Sequence, residues 1–313
     1  MERGKSYVYS ERAHFMCPNM HFGMLVTIRG EYDGDKLRFC LGALSKAHPF
    51  LESVIARDES GRLYFRKTDG LTVPLIECGG EWQKDYDEIS LGGWDITREC
   101  MLKAVTYPFE GEFRLLLVAH HMLCDGRGLL QLAEELAYCY VKGEQPKYVE
   151  ERLISSISDL PRGSDLPFLS RAVINYANNR WRKENHRVSY DEYLKFEKKY
   201  LQENVTRRSL TTIDGSELEE IIKICREENV SVNDYLIARM MRETGSGKMI
   251  IACDIRDKIS CYVPGAMGNY STAFSVVCKT RDGDTVALAK RMSAEVAKIR
   301  KRPQREMLVL SCY

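Results

Sequence analysis

The sequence lacks the features that mark secreted, membrane-spanning and repeat proteins. It contains no internal repeat, and no apolar run in it is long enough to cross a bilayer. The first residues lack the apolar core of a signal peptide. The 11 cysteines form no CxxC pair and follow no regular spacing, which is typical of free thiols in a reducing compartment. We therefore expect a soluble cytoplasmic protein.

The sequence also lacks a dominant charge. Its 46 Lys and Arg residues against 45 Asp and Glu residues leave a net charge of +1, which favours neither nucleic acid nor an anionic membrane as a partner. The 313 residues are about twice the length of a typical domain. Two domains are therefore expected, residues 1–160 and 161–313, divided near the Ser-, Asp-, Pro- and Gly-rich segment 155–166.

Hydrophobic patterning predicts a mixed α/β chain. Residues 23–29 and 113–119 are predicted strands, and the nearly continuous apolar run of the second indicates burial on both faces. Helices are predicted from about Asp35 and from about Arg127. The later half is expected to form a second α/β unit with these elements: helical structure over 168–201, strands over 248–254 and 272–279, and a basic helix from about Thr285.

Two serines in the later half predict helix starts. Ser216 precedes Glu219 by three residues, and Ser231 precedes Asp234 by three. This spacing is typical of a capping box, in which a hydroxyl at the N-cap accepts a hydrogen bond from the backbone three residues on. We therefore expect helices to begin directly after Ser216 and Ser231.

Segment 119–126, Ala-His-His-Met-Leu-Cys-Asp-Gly, contains the side chains best suited to catalysis. It follows the predicted buried strand, so its side chains project from a rigid backbone. Consecutive strand residues point to opposite faces, so one of His120 and His121 is expected to face a cleft and the other to pack inside. This argues against a shared metal site. A histidine suits the role of general base because its ordinary pKa is about 6.5.

The residues after the two histidines offer several interpretations. The carboxylate of Asp125 either pairs with an arginine or caps the helix that begins at Gly126. Gly126 allows a positive φ or a close backbone approach at this turn. Cys124 and His121 are close enough in sequence for a nucleophilic dyad. A small apolar filler is the favoured interpretation of Cys124, because a reactive thiol needs an activating environment.

This segment resembles the HHxxxDG signature of the chloramphenicol acetyltransferase and condensation-domain superfamily of acyltransferases, and the alcohol acetyltransferases are its most similar members in character. A second segment, Cys253-Asp-Ile-Arg256 followed by Gly265-Ala-Met-Gly-Asn269, resembles the family's strand ending in Arg, its Pro-containing loop and its Gly-Asn pair. Weaker similarities lie at 48–51 and 231–236. The resemblance extends over residues 22–274, nearly the whole chain.

The resemblance implies two chloramphenicol-acetyltransferase-like domains with mixed β-sheets flanked by helices and a channel between them. It implies that His121 is the base, that His120 is structural, and that Asp125 pairs with Arg256. No metal and no permanently bound cofactor is implied. The donor would be an acyl-coenzyme A or an acyl or peptidyl carrier protein carrying a phosphopantetheine thioester, and the acceptor a small-molecule alcohol or amine. The candidate channel residues are Gly268, Asn269, Ser271 and Thr272.

Two alternatives remain. One is a non-catalytic, condensation-like module that docks a carrier protein or another partner, and the other is a thiol hydrolase that uses Cys124. After the Gly-Asn segment, members of the family have more strands than this chain has between that segment and Tyr313. The second domain is therefore expected to be incomplete. Apolar surface around Leu308, Leu310 and the strand 272–279 is then expected to be covered by a second copy or a partner subunit, and the isolated monomer to have weak or no transferase activity.

Overall fold

The computed structural model describes residues 5–17, 20–77, 80–161, 164, 166–185, 188–205, 210–278 and 284–301. Within these ranges, helices and strands are mixed along the chain and the strands form three sheets, so the predicted mixed α/β fold is confirmed. No helix in the same ranges combines the length and the apolarity that a membrane span requires. The nine cysteines that they include are free thiols.

The elements are numbered in chain order. The strands are β1 (Ser6–Tyr7), β2 (His21–Arg29), β3 (Ser53–Arg57), β4 (Leu63–Lys67), β5 (Leu75–Glu77), β6 (Leu102–Phe109), β7 (Glu112–His120), β8 (Lys248–Asp254) and β9 (Ser271–Val277). The helices are α1 (Arg12–Phe15), α2 (Gly34–Ala47), α3 (Trp82–Leu91), α4 (Gly126–Lys142), α5 (Phe168–Glu184), α6 (Tyr190–Glu203), α7 (Gly215–Glu227), α8 (Val232–Thr244) and α9 (Thr285–Arg300).

A four-stranded sheet with the order β2-β7-β6-β5 carries the histidine motif. Its pairs are antiparallel except for β5 and β6, which run parallel. Residues 115–120 of β7 are all buried, and helices α3 and α4 both contact this strand. Strand β7 is therefore covered on both faces, as its apolar run predicted. The other sheets have the orders β1-β4-β3 and β8-β9.

Helices α2 and α4 begin and end where local chemistry favours it. Asp33 caps α2 by accepting a hydrogen bond from Lys36 N, and Asp125 caps α4 by accepting one from Gly128 N. Helix α4 ends before Gly143, whose φ of 72° lies in the left-handed region that glycine adopts without strain. The predicted core face of α2 is buried, and its residues are Leu37, Cys40, Leu41 and Leu44.

The later half contains an antiparallel pair of strands, β8 and β9, which packs against α8 and α9. Buried side chains of this layer form their own cluster, which includes Ala238, Met241, Val276, Leu288, Ala289 and Met292. Both strands confirm the predictions over 248–254 and 272–279, although residue 279 lies outside the described ranges.

The apolar exposure expected for the later half is found in part. Ile250 and Val277 are 68% and 67% exposed. Along β9, however, Thr272 is buried, so only some of this strand's side chains face solvent. Leu308 and Leu310 lie outside the described residues.

The two predicted helix starts have different outcomes. The hydroxyl of Ser231 caps α8 by accepting a hydrogen bond from Asp234 N at 3.0 Å, as predicted. The prediction for Ser216 is wrong, because α7 begins at Gly215 and its N-cap is Asp214, which accepts from Glu217 N at 2.9 Å. A carboxylate caps a helix as well as a hydroxyl does, and its charge also favours the positive end of the helix dipole.

A buried ionic cluster forms at His48, directly after α2. The side chain of His48 is 0% exposed, with Nε2 2.7 Å from Glu135 Oε2 and Nδ1 3.5 Å from Glu151 Oε1. The other oxygen of Glu151 accepts a hydrogen bond from Phe50 N at 2.7 Å. Burial disfavours the protonated ring, but the hydrogen bond with Glu135 and the nearby carboxylate of Glu151 outweigh it and raise the pKa of His48 to about 9.

This raised pKa predicts a pH-dependent stability. A group with a higher pKa in the folded state stabilises the fold fully below its unfolded pKa, here 6.5, and loses that contribution as pH rises through about 9. The shift corresponds to about 3 kcal/mol. We expect the free energy of unfolding, measured by urea titration, to fall between pH 6.5 and about 9 in the wild type. In His48→Gln this fall should be largely absent, and equal pH slopes in the two proteins would contradict the assignment.

Candidate active site

The candidate site is built where strand β7 ends. His120 is the last residue of this strand, and its N–H donates to Met101 O at 3.0 Å. His121 follows in the turn before α4, and its N–H donates to Met20 O at 2.8 Å. The backbone of both histidines is therefore held by hydrogen bonds to residues that flank the neighbouring strands β6 and β2.

The side chain of His120 packs inside the protein. It is 6% exposed, and its Nδ1 accepts a hydrogen bond from Met122 N at 3.0 Å. Its ring stands edge-on to that of His21, with 4.9 Å between the ring centroids. Burial, followed by the charges of neighbouring histidines, lowers the pKa of His120 well below its ordinary value. This imidazole is therefore neutral and fully engaged in packing.

His121 lies in a different environment from His120, because it follows the end of the strand in the turn. Its half-buried ring contacts Phe22 and His14, with centroid distances of 4.3 Å and 5.3 Å. Its Nδ1 is 3.4 Å from Asn269 Oδ1, and Asn269 Nδ2 donates to the carbonyl of His121. An amide oxygen only accepts, so this contact keeps the ring proton on Nδ1. The lone pair of the neutral ring is therefore on Nε2.

Burial sets the charge state of His121. It lowers the pKa of the ring, while the hydrogen bond with Asn269 and the charge of Asp125 oppose the shift without reversing it. His14 beside it is affected in the same direction: burial, and then the charge of His121, lower its pKa to about 4. Both rings are therefore neutral at neutral pH, which is the state that a general base requires.

Asp125 connects three parts of the chain through its carboxylate. Oδ1 accepts from Gly128 N at 3.0 Å and from Arg256 Nη2 at 2.6 Å, and Oδ2 accepts from Tyr270 N at 3.0 Å. The helix cap and the arginine partner, which the sequence left as alternatives, are both present. The predicted ion pair between Asp125 and Arg256 is thus confirmed, and it joins residues 131 positions apart.

Arg256 itself is held by further contacts. The residue is 7% exposed and follows strand β8 in a short turn. Its Nη1 is 3.2 Å from Asp254 Oδ1, and its guanidinium lies over the rings of Tyr262 and Tyr270, 5.6 Å and 5.0 Å from their centroids. These contacts offset the cost of burying the positive charge.

The glycines of the two motifs differ in what they do. Gly126 has neither of its expected roles: it is the exposed first residue of α4, its φ is not positive, and a Cβ there would meet no atom within 4 Å. The close approach is at Gly128, where a Cβ would lie 2.8 Å from Cys124 Cβ. Gly268 has a φ of 150° and accepts from Asp125 N at 3.2 Å, so it requires glycine next to Asn269.

The side chains of the remaining candidates make no hydrogen bond with the imidazole among the described residues. Ser271 and Thr272 begin β9, and no hydrogen bond joins either of them to His121 in the described part of the chain. The hydroxyl of Thr272 is buried without a partner there. Cys124 is 0% exposed, and burial, followed by the charge of Asp125, raises its pKa well above the ordinary value. Such a thiol is inert, which favours the filler interpretation over a nucleophile.

The sequence analysis missed two residues from the N-terminal segment. His14, on α1, stacks on His121. Glu11, directly before α1, is 0% exposed, and its Oε1 is 3.4 Å from Asn269 N. Helix α1 has only four residues, too few for a hydrophobic period to be recognised, so no signal in the sequence pointed to either side chain.

Four histidines thus gather around the end of β7: His14, His21, His120 and His121. They make ring contacts rather than a ligand set, and the ring of His21 stacks on Trp94 with 5.0 Å between centroids. Among the residues that the structure describes, no three His, Cys, Asp or Glu side chains are arranged to hold a metal ion.

Comparison with known proteins connects part of the chain with peptide synthetases. No family model matches the sequence. Over 124 residues, 39% of this chain, it is 27% identical to a probable non-canonical nonribosomal peptide synthetase, CymA, from Salinispora arenicola. The match spans only 2% of that protein, so it is a similarity to a small part of a very long chain.

Solved structures extend the similarity to the whole fold. The first condensation domain of the CDA synthetase matches with a TM-score of 0.57 and 14% identity, over 100% of this chain and 78% of its own. The condensation domain of the Monacolin K polyketide synthase MokA matches with a TM-score of 0.61 and 12% identity, over 98% of this chain and 75% of its own. The polyketide synthase associated protein 5 from Mycobacterium tuberculosis matches with a TM-score of 0.58 and 17% identity, over 98% of this chain and 75% of its own. At such identities the likeness shows the fold alone, and that fold is the one of condensation domains.

Proposed function

We propose that the protein is an acyltransferase that moves an acyl group from a phosphopantetheine thioester to an alcohol or amine acceptor. The observation that carries the proposal is the state of His121, a neutral, half-buried imidazole whose Nδ1 contacts Asn269. In this tautomer the lone pair on Nε2 can accept a proton. The condensation-domain fold supports a thioester donor, either coenzyme A or a carrier protein, and a division into two domains near residue 160.

In the proposed reaction Nε2 of His121 takes the proton of the acceptor as its oxygen or nitrogen attacks the thioester carbonyl. The new C–O or C–N bond forms, the C–S bond breaks, and the leaving thiolate recovers the proton from the imidazolium. A positioned base of this kind contributes about 10²–10⁴-fold to the rate. Asn269 Oδ1 accepts from Nδ1 throughout, so it also stabilises the imidazolium that forms.

The substrate channel is proposed to pass beside Gly268 and Asn269. The support for this position is the contact between Asn269 and the ring of His121, which is made at Nδ1. Ser271 and Thr272 follow within three residues and are proposed to line the same channel further from the reacting atoms. The fully buried thiol of Cys124 gives no support to a thiol hydrolase.

The decisive variant is His121→Ala. We expect it to lower kcat by about 10²–10⁴-fold without unfolding the protein, because the ring is half-buried and acts as a base. The measurement is thiol release from acyl-coenzyme A and from an acyl carrier protein with alcohol and amine acceptors, alongside circular dichroism.

His120→Ala is the matched control. It removes a packed ring and the acceptor for Met122 N, so we expect a lower Tm and a smaller loss of turnover per folded molecule. A folded His121→Ala protein with wild-type turnover would contradict the proposal. A wild type that binds the carrier protein or coenzyme A thioester without transfer would support the non-catalytic module instead.

The ion pair between Asp125 and Arg256 predicts a large loss of stability. Both side chains are 7% exposed, so Asp125→Asn or Arg256→Met leaves the partner's charge or hydrogen-bonding groups unpaired in the interior. Each change should lower the free energy of unfolding by about 3–5 kcal/mol. The double variant should cost less than the sum of the two, measured as a double-mutant cycle by urea titration. Single variants within about 1 kcal/mol of wild type would rule out this role.

Self-association is proposed at the outer face of the β8 and β9 pair. In the described part of the chain this sheet has two strands, and its outer face exposes Ile250 and Val277. Multi-angle light scattering should show an apparent mass that rises with concentration. Ile250→Lys should abolish the rise, whereas Val173→Lys, which changes an equally exposed apolar residue on α5, should not. A monomer at every concentration would contradict the proposal.

A further inference from the structure

The N-terminal segment around α1 packs against the base from outside the HHxxxDG motif. The ring of His14 stacks on His121, with an angle of 30° between the planes. The ring of Phe15 stacks on Tyr190 of α6, with 4.8 Å between centroids. Glu11 reaches Asn269 of the second motif. Five residues of chain, 11–15, thus contact the base, α6 and the segment that orients the base.

Glu11 is the unusual member of this segment. It is 0% exposed, and its Oε1 is 3.4 Å from Asn269 N. Burial raises the pKa of the carboxyl group, and hydrogen bonds with Ser10 and with nearby backbone groups offset this only in part. A carboxyl group that is buried without full compensation destabilises a fold. Such a group in a native protein requires an explanation other than packing.

The surroundings of Asn269 show what the carboxyl group does. Three consecutive residues are fixed through their backbone: Gly268 O accepts from Asp125 N, Asn269 N donates to Glu11, and Tyr270 N donates to Asp125 Oδ2. Asp125 therefore holds the residues on either side of Asn269, and Glu11 holds Asn269 itself.

The side chain of Asn269 contacts His121, so a fixed position of Asn269 also fixes the orientation of the His121 ring. Its Oδ1 contacts His121 Nδ1, and its Nδ2 donates to the carbonyl of the same residue. A rotation of the Asn269 backbone would turn the amide and break both contacts, because two bonds to one residue demand a single orientation. The restraint on the Asn269 N–H therefore supports the contact that keeps the proton of His121 on Nδ1, in addition to the hydrogen bond between the ring and the backbone of Cys124.

We propose that Glu11 is a positioning residue for the base, which accepts the N–H of Asn269 and so keeps the proton of His121 on Nδ1. The inference rests on the proposed role of His121. Glu11 acts through Asn269, and no contact joins it directly to the imidazole in the described residues. Loss of this restraint lets the neutral ring adopt the Nε2–H tautomer, which has no lone pair on the nitrogen that faces the acceptor.

Three variants separate this role from packing. Glu11→Met keeps the length of the side chain and removes both oxygens, whereas Glu11→Gln keeps an acceptor for Asn269 N. Glu151→Met is the matched control, because Glu151 is also a buried carboxylate but contacts His48 and Phe50. If Glu11→Met does not fold, Glu11→Asp withdraws the carboxylate by one methylene and takes its place.

The first readout does not depend on turnover. The ¹⁵N chemical shifts of the His121 ring, recorded at about pH 8 with labelled histidine, report the tautomer of the neutral imidazole. We expect mainly Nδ1–H in the wild type, in Glu11→Gln and in Glu151→Met. In Glu11→Met the Nε2–H tautomer should predominate, with about one ring in ten or fewer left as Nδ1–H, which matches the loss of kcat expected below.

The second readout is the kinetics of thioester transfer. We expect Glu11→Met to lower kcat by about 10-fold or more with KM within about twofold, and Glu11→Gln to stay within about threefold of wild type. A wild-type tautomer and kcat in folded Glu11→Met, or the same tautomer change in Glu151→Met, would overturn the proposal. The predicted tautomer change in a protein without transferase activity would refute the proposed function and leave the positioning role intact.

Discussion

The carboxylate of Asp125 is the constraint on which the rest of the site depends. It caps α4, pairs with Arg256 after β8 and accepts the N–H of Tyr270 before β9. One side chain therefore fixes the turn after the central strand relative to both strands of the later pair. Because the charge is buried and matched by a buried guanidinium, removal of either partner leaves a group that the interior cannot solvate. Such a contact locks one geometry even if its net contribution to stability is small.

The same ion pair has an electrostatic consequence for the imidazole. The charge of Asp125 favours the protonated form of His121, yet burial outweighs it and the pKa of the ring is lowered. Arg256, 2.6 Å from Asp125 Oδ1, screens that negative charge from its surroundings. Without the arginine the uncompensated carboxylate would favour the protonated form of the imidazole more strongly. The ion pair between Asp125 and Arg256 thus also favours the neutral form of the His121 imidazole.

The parts that were predictable from the sequence are those in which a local pattern decides the structure. Strand β7 has an uninterrupted apolar run, and α2 has apolar residues at helical spacing, so burial follows directly from each pattern. The ion pair of Asp125 was predicted through the resemblance of two distant segments. Where two local choices were equally good chemically, as at Asp214 and Ser216, the pattern selected the wrong cap.

The parts that were not predictable depend on contacts between distant residues without a pattern of their own. Glu11 and His14 lie in a turn and a four-residue helix, and they reach the site only because Asn269 and His121 are brought there by other elements. Likewise Gly126 is part of the recognised motif, but the close approach that needs a glycine occurs at Gly128. A motif therefore identifies the turn, while packing decides which residue in it is sterically required.

An asparagine as the partner of the base fits the reaction proposed for it. A carboxylate beside Nδ1 would stabilise the imidazolium strongly and raise the pKa of the ring, as two carboxylates do for His48. The amide of Asn269 orients the ring without adding charge, so the resting imidazole stays neutral. An acceptor alcohol or amine loses its proton only as it attacks, so the base must stay unprotonated until then. The neutral orienting group and the depressed pKa are thus two consequences of one requirement, an imidazole that is held firmly but not charged.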